Sequence, residues 1–188
     1  MKKTIAEAAS NLLFEKKVKK LTVKDIVEEC HITRQAFYYH FEDKYDLVNW
    51  YFQSGVTQFL VERSAYASWN ALLEAVEDYL LENKVFYCNA LAYTGQNSLQ
   101  QYIFDYLSSI FMQRAKELRP GIGADENLLA GRFFAGALMG ILQPWVLGGM
   151  KTNTTRPSQA VPLLSVDELE VILRGELGET HEPGKLPQ

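Results

Sequence analysis

The sequence is poor in the residues that build metal sites, disulfides and nucleophilic chemistry, with two cysteines and three histidines in 188 residues. Cys30 and Cys88 stand far apart with no CxxC or Cys/His spacing, which argues against a disulfide framework or a zinc site and suits a reducing compartment. His31, His40 and His181 are scattered. There is no HExxH pattern, no Gly-rich phosphate loop and no nucleophile elbow, so neither an enzyme nor a cofactor is expected. A membrane-length hydrophobic run is also missing. The charge-free stretch 133–149 is shorter than the roughly 20 residues a bilayer requires and contains Gln143 and Pro144. The start MKKTIAEAAS is positively charged, but Glu7, Asn11 and Glu15 interrupt any apolar segment behind it; an export signal is not expected, and a cytoplasmic location is. Convincing period-two alternation is absent too, which leaves an all-α fold.

What is present is an average globular composition, 47% hydrophobic and 22% charged, enough for a real core. The net charge of −4 hides an asymmetry. Up to Lys24 the chain holds seven lysines against two glutamates, a surplus of five, so the remainder carries −9. A basic leading segment on an acidic body is the distribution of a DNA-reading head on a sensor, although a solvated lysine face on an ordinary helix gives the same count.

Ile5, Ala8, Ala9, Leu12 and Leu13 recur at helical spacing and stop before the basic run 16–20. Thr22 can cap a second helix, with Asp25 three residues on and Val23, Ile26 and Val27 as its apolar face. After His31 and Ile32, Thr33 can cap a third helix through Phe37, Tyr38 and Phe41. A fourth opens near Asp43, where Asp43 and Asp46 complement the positive helix end, and runs towards Leu60. Further helices are expected over 69–83, 86–93, 98–118, 125–147 and 166–177. Gly95, the Pro120–Gly123 turn and the polar stretch 148–162 divide them. The division expected is a DNA-binding domain over 1–46, a sensing and dimerisation domain over 47–178, and a disordered tail over 179–188.

Residues 22–41 have the makings of a helix-turn-helix. Ile26, Val27, Ile32 and Phe37 form its internal core, leaving Arg34, Gln35, Ala36, Tyr38, Tyr39 and His40 for groove and backbone. Arg pairs with guanine, Gln with adenine, and Ala touches the thymine methyl. Lys44 and the tyrosine hydroxyls suit phosphates, with Thr22, Lys24 and the cap Thr33 at the flanks. For Tyr38 or Tyr39 the alternative is inward packing, and for His40 a capping or interior role.

The run LTVKDIVEECHITRQAFYYHFEDKYDLVNWYF, residues 21–52, resembles the signature of the TetR/AcrR regulators at Thr22, Ile26, Val27, Thr33, Phe37, Tyr38, Tyr39, His40, Phe41, Lys44 and Leu47. One departure is His31 where that family usually has glycine; histidine tolerates a left-handed backbone better than most residues. The resemblance implies three DNA-binding helices, a connecting fourth, and a helical body that dimerises and senses a ligand. It also implies a palindromic operator contacted through Lys24, Arg34, Gln35, Ala36, Tyr38, Tyr39, His40 and Lys44. The run FYCNALAYTGQNSLQQYIFDYL, residues 86–107, is similar to the C-terminal domain of the DhaS-like subgroup. That likeness leaves the inducer open, small molecule or protein coactivator, and the sign of regulation too, repressor or activator.

In the body, Gly95 can end one helix and Asn97 or Ser98 can cap the next. The sharper reading gives Gln96 and Asn97 to a small polar ligand or partner, with Trp69, Tyr87, Tyr93, Tyr102 and Tyr106 around it; the plainer one makes the aromatics ordinary core. The helix carrying Phe133, Phe134, Gly136, Ala137, Gly140, Leu142 and Trp145 is apolar almost all round and must be covered. Together with the 166–177 helix, through Leu169 and Ile172, it is expected to form a two-fold homodimer interface. The competing functions are an enzyme, which lacks any supporting motif, and an adaptor that has kept the fold but lost DNA reading, against which Arg34, Gln35, Tyr39 and Lys44 stand.

Overall fold

A computed structural model describes residues 1–15, 17–62, 69–151 and 155–160; side chains at 14, 15, 57–62, 69, 70, 72 and 160 lie outside that description. Every regular element among the described residues is helical, as the missing alternation predicts. In chain order these are α1 Lys2–Glu15, α2 Val23–Glu29, α3 Arg34–His40, α4 Lys44–Glu62, α5 Trp69–Glu82, α6 Lys84–Leu91, α7 Leu99–Leu118, α8 Ala124–Leu147 and α9 Pro157–Ala160. The short α9 falls within a stretch read from sequence as a connection. The expected 166–177 helix with Leu169 and Ile172, the tail 179–188, and the Trp69 side chain lie outside the described residues.

The small leading helices hold together because each buries one face. Ile5, Ala9 and Leu13 of α1, Ile26 and Val27 of α2, Phe37 of α3, and Leu47 and Val48 of α4 are buried in one cluster. α1 packs on α2 and α4, and α2 on α3. This cluster does not stop at the expected boundary near residue 46. It continues through Phe52, Leu80, Phe86, Tyr87, Leu99 and Trp145 to Met150. α6 makes the join, sitting against α1 and α8. Its Asn89 Nδ2 donates to the Leu13 carbonyl at 2.6 Å, and Cys88 Sγ to the Val146 carbonyl at 3.1 Å.

The body is organised on the α7–α8 pair, which runs antiparallel: Gly131 faces Ser108 and Met112, while Gly136, further along, faces Phe104. A Cβ at Gly131 would stand 2.5 Å from Met112 Cγ and 2.7 Å from the Ser108 carbonyl oxygen, so only glycine permits this approach. Beside the pair, α9 is pinned to α5. The buried Glu77 carboxylate accepts from Ser158 N at 2.6 Å and Ser158 Oγ at 2.8 Å, and Arg156 pairs with Asp78 at 2.8 Å. Burial raises the Glu77 pKa, the Ser158 bonds opposing it.

Gly95 does not end α6. The helix stops at Leu91 with Ala92 as its C-cap, and the space at Gly95 is taken by the Tyr93 ring. Ser98 caps α7, its Oγ accepting from Gln101 N, while Asn97 adopts φ 58°.

Candidate nucleic-acid interface

The reading unit is built by local capping. Thr22 and Asp25 form a reciprocal box at the start of α2: Asp25 N donates to Thr22 Oγ1 at 3.1 Å and Thr22 N to Asp25 Oδ2 at 2.8 Å. At the other end the chain reverses through His31 at φ 54°, and Ile32 N donates back to the Val27 carbonyl at 3.0 Å. Thr33 then opens α3 by accepting from Ala36 N at 3.1 Å. Histidine thus occupies a left-handed position, as the histidine-for-glycine departure predicts.

One residue fixes how α3 is rotated. Phe37 is fully buried and meets Phe41 and the edge of Tyr38. With that side inward, Arg34 and Gln35 are exposed, Tyr38 is 56% and Tyr39 84% exposed, and Ala36 and His40 lie half-buried. The inward alternative for the tyrosines does not hold; both face solvent. His40 stacks edge-on against Tyr39, their ring centroids 5.0 Å apart. A seven-residue helix with arginine, glutamine and two tyrosines outward has the size and donor set to lie in a major groove. Thr22 and Lys24 are exposed on the preceding helix, with Lys24 Nζ 3.6 Å from Glu28.

Lys44 needs correction. Expected at a phosphate, it instead turns its ammonium onto three backbone carbonyls, those of Val18 at 2.9 Å, Lys19 at 3.2 Å and Leu21 at 2.7 Å. An ammonium has three N–H donors, and all are used. Burial lowers its pKa, with Asp43 and Asp25 opposing. Its work is to tie the α1–α2 connection to the start of α4, and it leaves the side chains of Lys17, Lys19 and Lys20 exposed. Sequence spacing carried no sign of this, because the partners are more than twenty positions away.

The residues expected to sense a ligand separate into two groups. Tyr87 is buried, and Phe52 meets Tyr87, Tyr102 and Tyr106 edge-on at 6.1 to 6.3 Å. These rings pack against one another as core. Tyr93 lies flat on Tyr45, with centroids 4.6 Å apart and planes 12° from parallel, and the Tyr45 phenol is pushed up to about 12 by burial and by Tyr93. Gln96 and Asn97 instead line an open cleft of about 690 Å³ with Arg132 and Phe104, a partner set that the sequence reading missed.

The expected interface on α8 also divides. Phe134 and Trp145 are buried within the chain, Phe134 against Phe111 of α7 and Trp145 in the main core cluster, and Leu142 is half-buried. They cannot supply the primary contact with a second copy. Gly136, Ala137 and Gly140 are exposed, along with Phe133 at 67% and two residues not singled out before, Leu129 at 68% and Leu147.

A capped first helix, a tight turn and a second helix presenting donors outward, all seated on a helical body, define a helix-turn-helix DNA-binding protein. Residues 5–54 match the family described as "Bacterial regulatory proteins, tetR family", and residues 67–159 match "Transcriptional regulator C-terminal region". The chain belongs to the TetR family and is a transcriptional regulator of that type. It is 32% identical over 85 residues to the HTH-type dhaKLM operon transcriptional activator DhaS of Lactococcus lactis subsp. lactis (strain IL1403), a match covering 45% of this chain and 46% of that one, so under half the length of that relative is spanned. A solved structure, dihydroxyacetone kinase operon activator DhaS, has the same fold with a TM-score of 0.56 at 20% identity, over 93% of this chain and 94% of that one. No helix among the described residues is long and apolar enough to cross a membrane.

Proposed function

We propose that this chain is a cytoplasmic homodimeric regulator that binds a palindromic operator and releases or re-seats it when the body takes up a ligand or partner. Residues 1–46 act as the reading head and the remainder of the body as sensor and dimeriser. The observation that carries the reading is the rotation of α3: Phe37 is fully buried, which puts Arg34, Gln35, Tyr38 and Tyr39 on the solvent side together. Arg34 and Gln35 read base edges, Ala36 meets a thymine methyl, and Tyr38, Tyr39 and His40 position the helix. Thr22, Lys24 and Thr33 flank the groove, and the phosphate role expected of Lys44 passes to the exposed side chains of Lys17, Lys19 and Lys20.

Two reading heads need a fixed separation, and α8 supplies the means. Leu129, Phe133, Gly136 and Gly140 follow one another at three- and four-residue spacing on its exposed side, with Ala137 beside Gly136 and Leu147 two turns beyond Gly140. An apolar stripe of that length on a soluble protein calls for a cover, and a second copy related by a two-fold provides the matching stripe. The small residues let the two helices approach closely.

Selection of bound duplexes from a random pool, followed by measurement at two salt concentrations, tests the whole reading. An inverted-repeat site bound in a salt-sensitive way is the expected outcome. Retention of no sequence above background would leave a fold without DNA reading and end the proposal. Whether bound protein represses or activates is a separate matter. The likeness to an operon transcriptional activator favours activation, which a reporter driven from the selected operator distinguishes from repression.

A further inference from the structure

We propose that the open cleft at the start of α7 is the sensing site of the body, and that it takes a small hydroxylated anion bearing a carboxylate or phosphate. The proposal rests on the regulator reading above and names the site and chemistry that reading leaves open. The cleft measures about 690 Å³, within the range of roughly 300–1,000 Å³ typical of small-molecule sites. Its lining contains one cation, Arg132, and no carboxylate. The Arg132 guanidinium lies 5.2 Å from the centre of the Phe104 ring and makes no hydrogen bond or ion pair among the described residues. The guanidinium is thus set against the ring and exposed, with its N–H groups unspent among the described residues, where arginine can offer a two-pronged bond to a carboxylate or phosphate. The neighbouring carboxylate, Asp105, lies outside the lining and is already held by Gln101 Nε2 at 3.1 Å.

Around that cation the walls are neutral and polar. Thr94, Gln96 and Gln100 carry hydroxyl and carboxamide groups with no hydrogen-bond partner among the described residues, and Phe104 and Met139 supply an apolar patch. Neutral donors and acceptors beside one cation fit an anion that also carries hydroxyls better than a bare ion or an apolar compound.

The cleft wall is tied to the reading head. The Asn97 carbonyl accepts from Asn49 Nδ2 at 3.3 Å, and Asn97 Nδ2 reaches Asp43 Oδ2 at 3.5 Å. The other oxygen of Asp43 accepts from Tyr45 N at 2.7 Å and Asp46 N at 2.8 Å, which starts α4 directly behind α3. Tyr93, at the edge of the same loop, stacks on Tyr45. An anion that draws Gln96 and Asn97 towards Arg132 acts on the first turn of α4, and so on the placement of the recognition helix.

Isothermal titration of the full chain at constant ionic strength, with inorganic phosphate, citrate, 3-phosphoglycerate and uncharged glycerol, tests this. Saturable binding of citrate or 3-phosphoglycerate is expected, with one per chain and none of glycerol. Arg132→Gln is expected to weaken it about tenfold or more, and Arg132→Lys by less. The inference is overturned if none of the anions saturates at millimolar concentration, if Arg132→Gln binds as tightly as the unaltered chain, or if Arg132→Gln dissociates the dimer. It is likewise overturned if a short oligoglutamate peptide binds through Arg132 where the small anions do not, which would give the cleft to a protein partner. Operator affinity without added anion, measured on the same two proteins, keeps the readings apart: equal affinity in both leaves the regulator reading standing whatever the titration shows.

Discussion

The ammonium of Lys44 lies 2.7 Å from the carbonyl oxygen of Leu21, and the same nitrogen serves Val18 and Lys19. A residue whose sequence position suggests a phosphate contact thereby becomes the peg that holds the α1–α2 connection. Lys44→Met keeps the aliphatic stem and removes the donors. It is expected to lower unfolding free energy by at least about 2 kcal/mol, since three charge-assisted bonds go at once. The slope of log affinity against log salt is expected to stay unchanged, whereas loss of a phosphate contact lowers it by nearly one. A slope change without a stability change would return Lys44 to the DNA.

Arg34 is exposed at the leading end of α3 and sits next to the cap residue Thr33. Arg34→Ala is expected to cost about 1–3 kcal/mol on the selected operator and to flatten the preference at one position in each half-site. Competition binding across single-base operator variants reads this directly. Loss that is uniform over all variants would make Arg34 a backbone contact.

His31 holds φ at 54° in the turn between α2 and α3. A side chain there is strained and glycine is not, so His31→Gly is expected to stabilise the chain by up to about 1 kcal/mol in thermal unfolding. Operator affinity should be preserved, because the imidazole is not needed for the turn. A fall in affinity with stability unchanged would assign His31 a contact of its own.

Phe133 stands clear of the α7 packing at 67% exposure. Phe133→Glu places a charge in the middle of the stripe and removes about 1.5–3 kcal/mol of burial per copy if that stripe is covered. Light scattering at micromolar concentration is expected to read a dimer for the unaltered chain and a monomer for the variant, with the helical content of both the same. A monomer in both, or a dimer in both, removes α8 from the interface.

Glu77 gives the pH dependence a definite sign. Its pKa is raised from 4.5, burial being the largest cause, so the fold favours the protonated form. The stability this contributes is full below the ordinary carboxylate range and is lost as pH rises through the raised value. Glu77→Gln has no such titration, so the melting temperature of the unaltered chain relative to this variant should fall as pH is raised from about that point. A difference that rises over that range, or stays flat, would contradict the sign.

How much was legible in the sequence follows how far each interaction reaches. The capping box at Thr22 and Asp25, the cap at Thr33, the left-handed turn at His31 and the burial of Phe37 involve partners within a few positions, so spacing and residue type specify them. The α3 reading face follows from Phe37 alone once the helix is recognised. The helical period likewise placed α5, α7 and α8 within two residues of their observed ends.

What the sequence by itself determined, then, is the all-helical character, the helix-turn-helix and its outward donors, because those depend on local backbone geometry and on a period of 3.6 residues. Only the tertiary structure decided which side of α8 is left uncovered, that Lys44 is an internal tie, and that Arg132 shares a cleft with Gln96 while Tyr87 and Tyr102 are packed as core. Each of these depends on which distant helix occupies the neighbouring space: an apolar helix looks alike on every side until another has claimed one of them, and a lysine's donors go to whichever carbonyls the chain brings within reach.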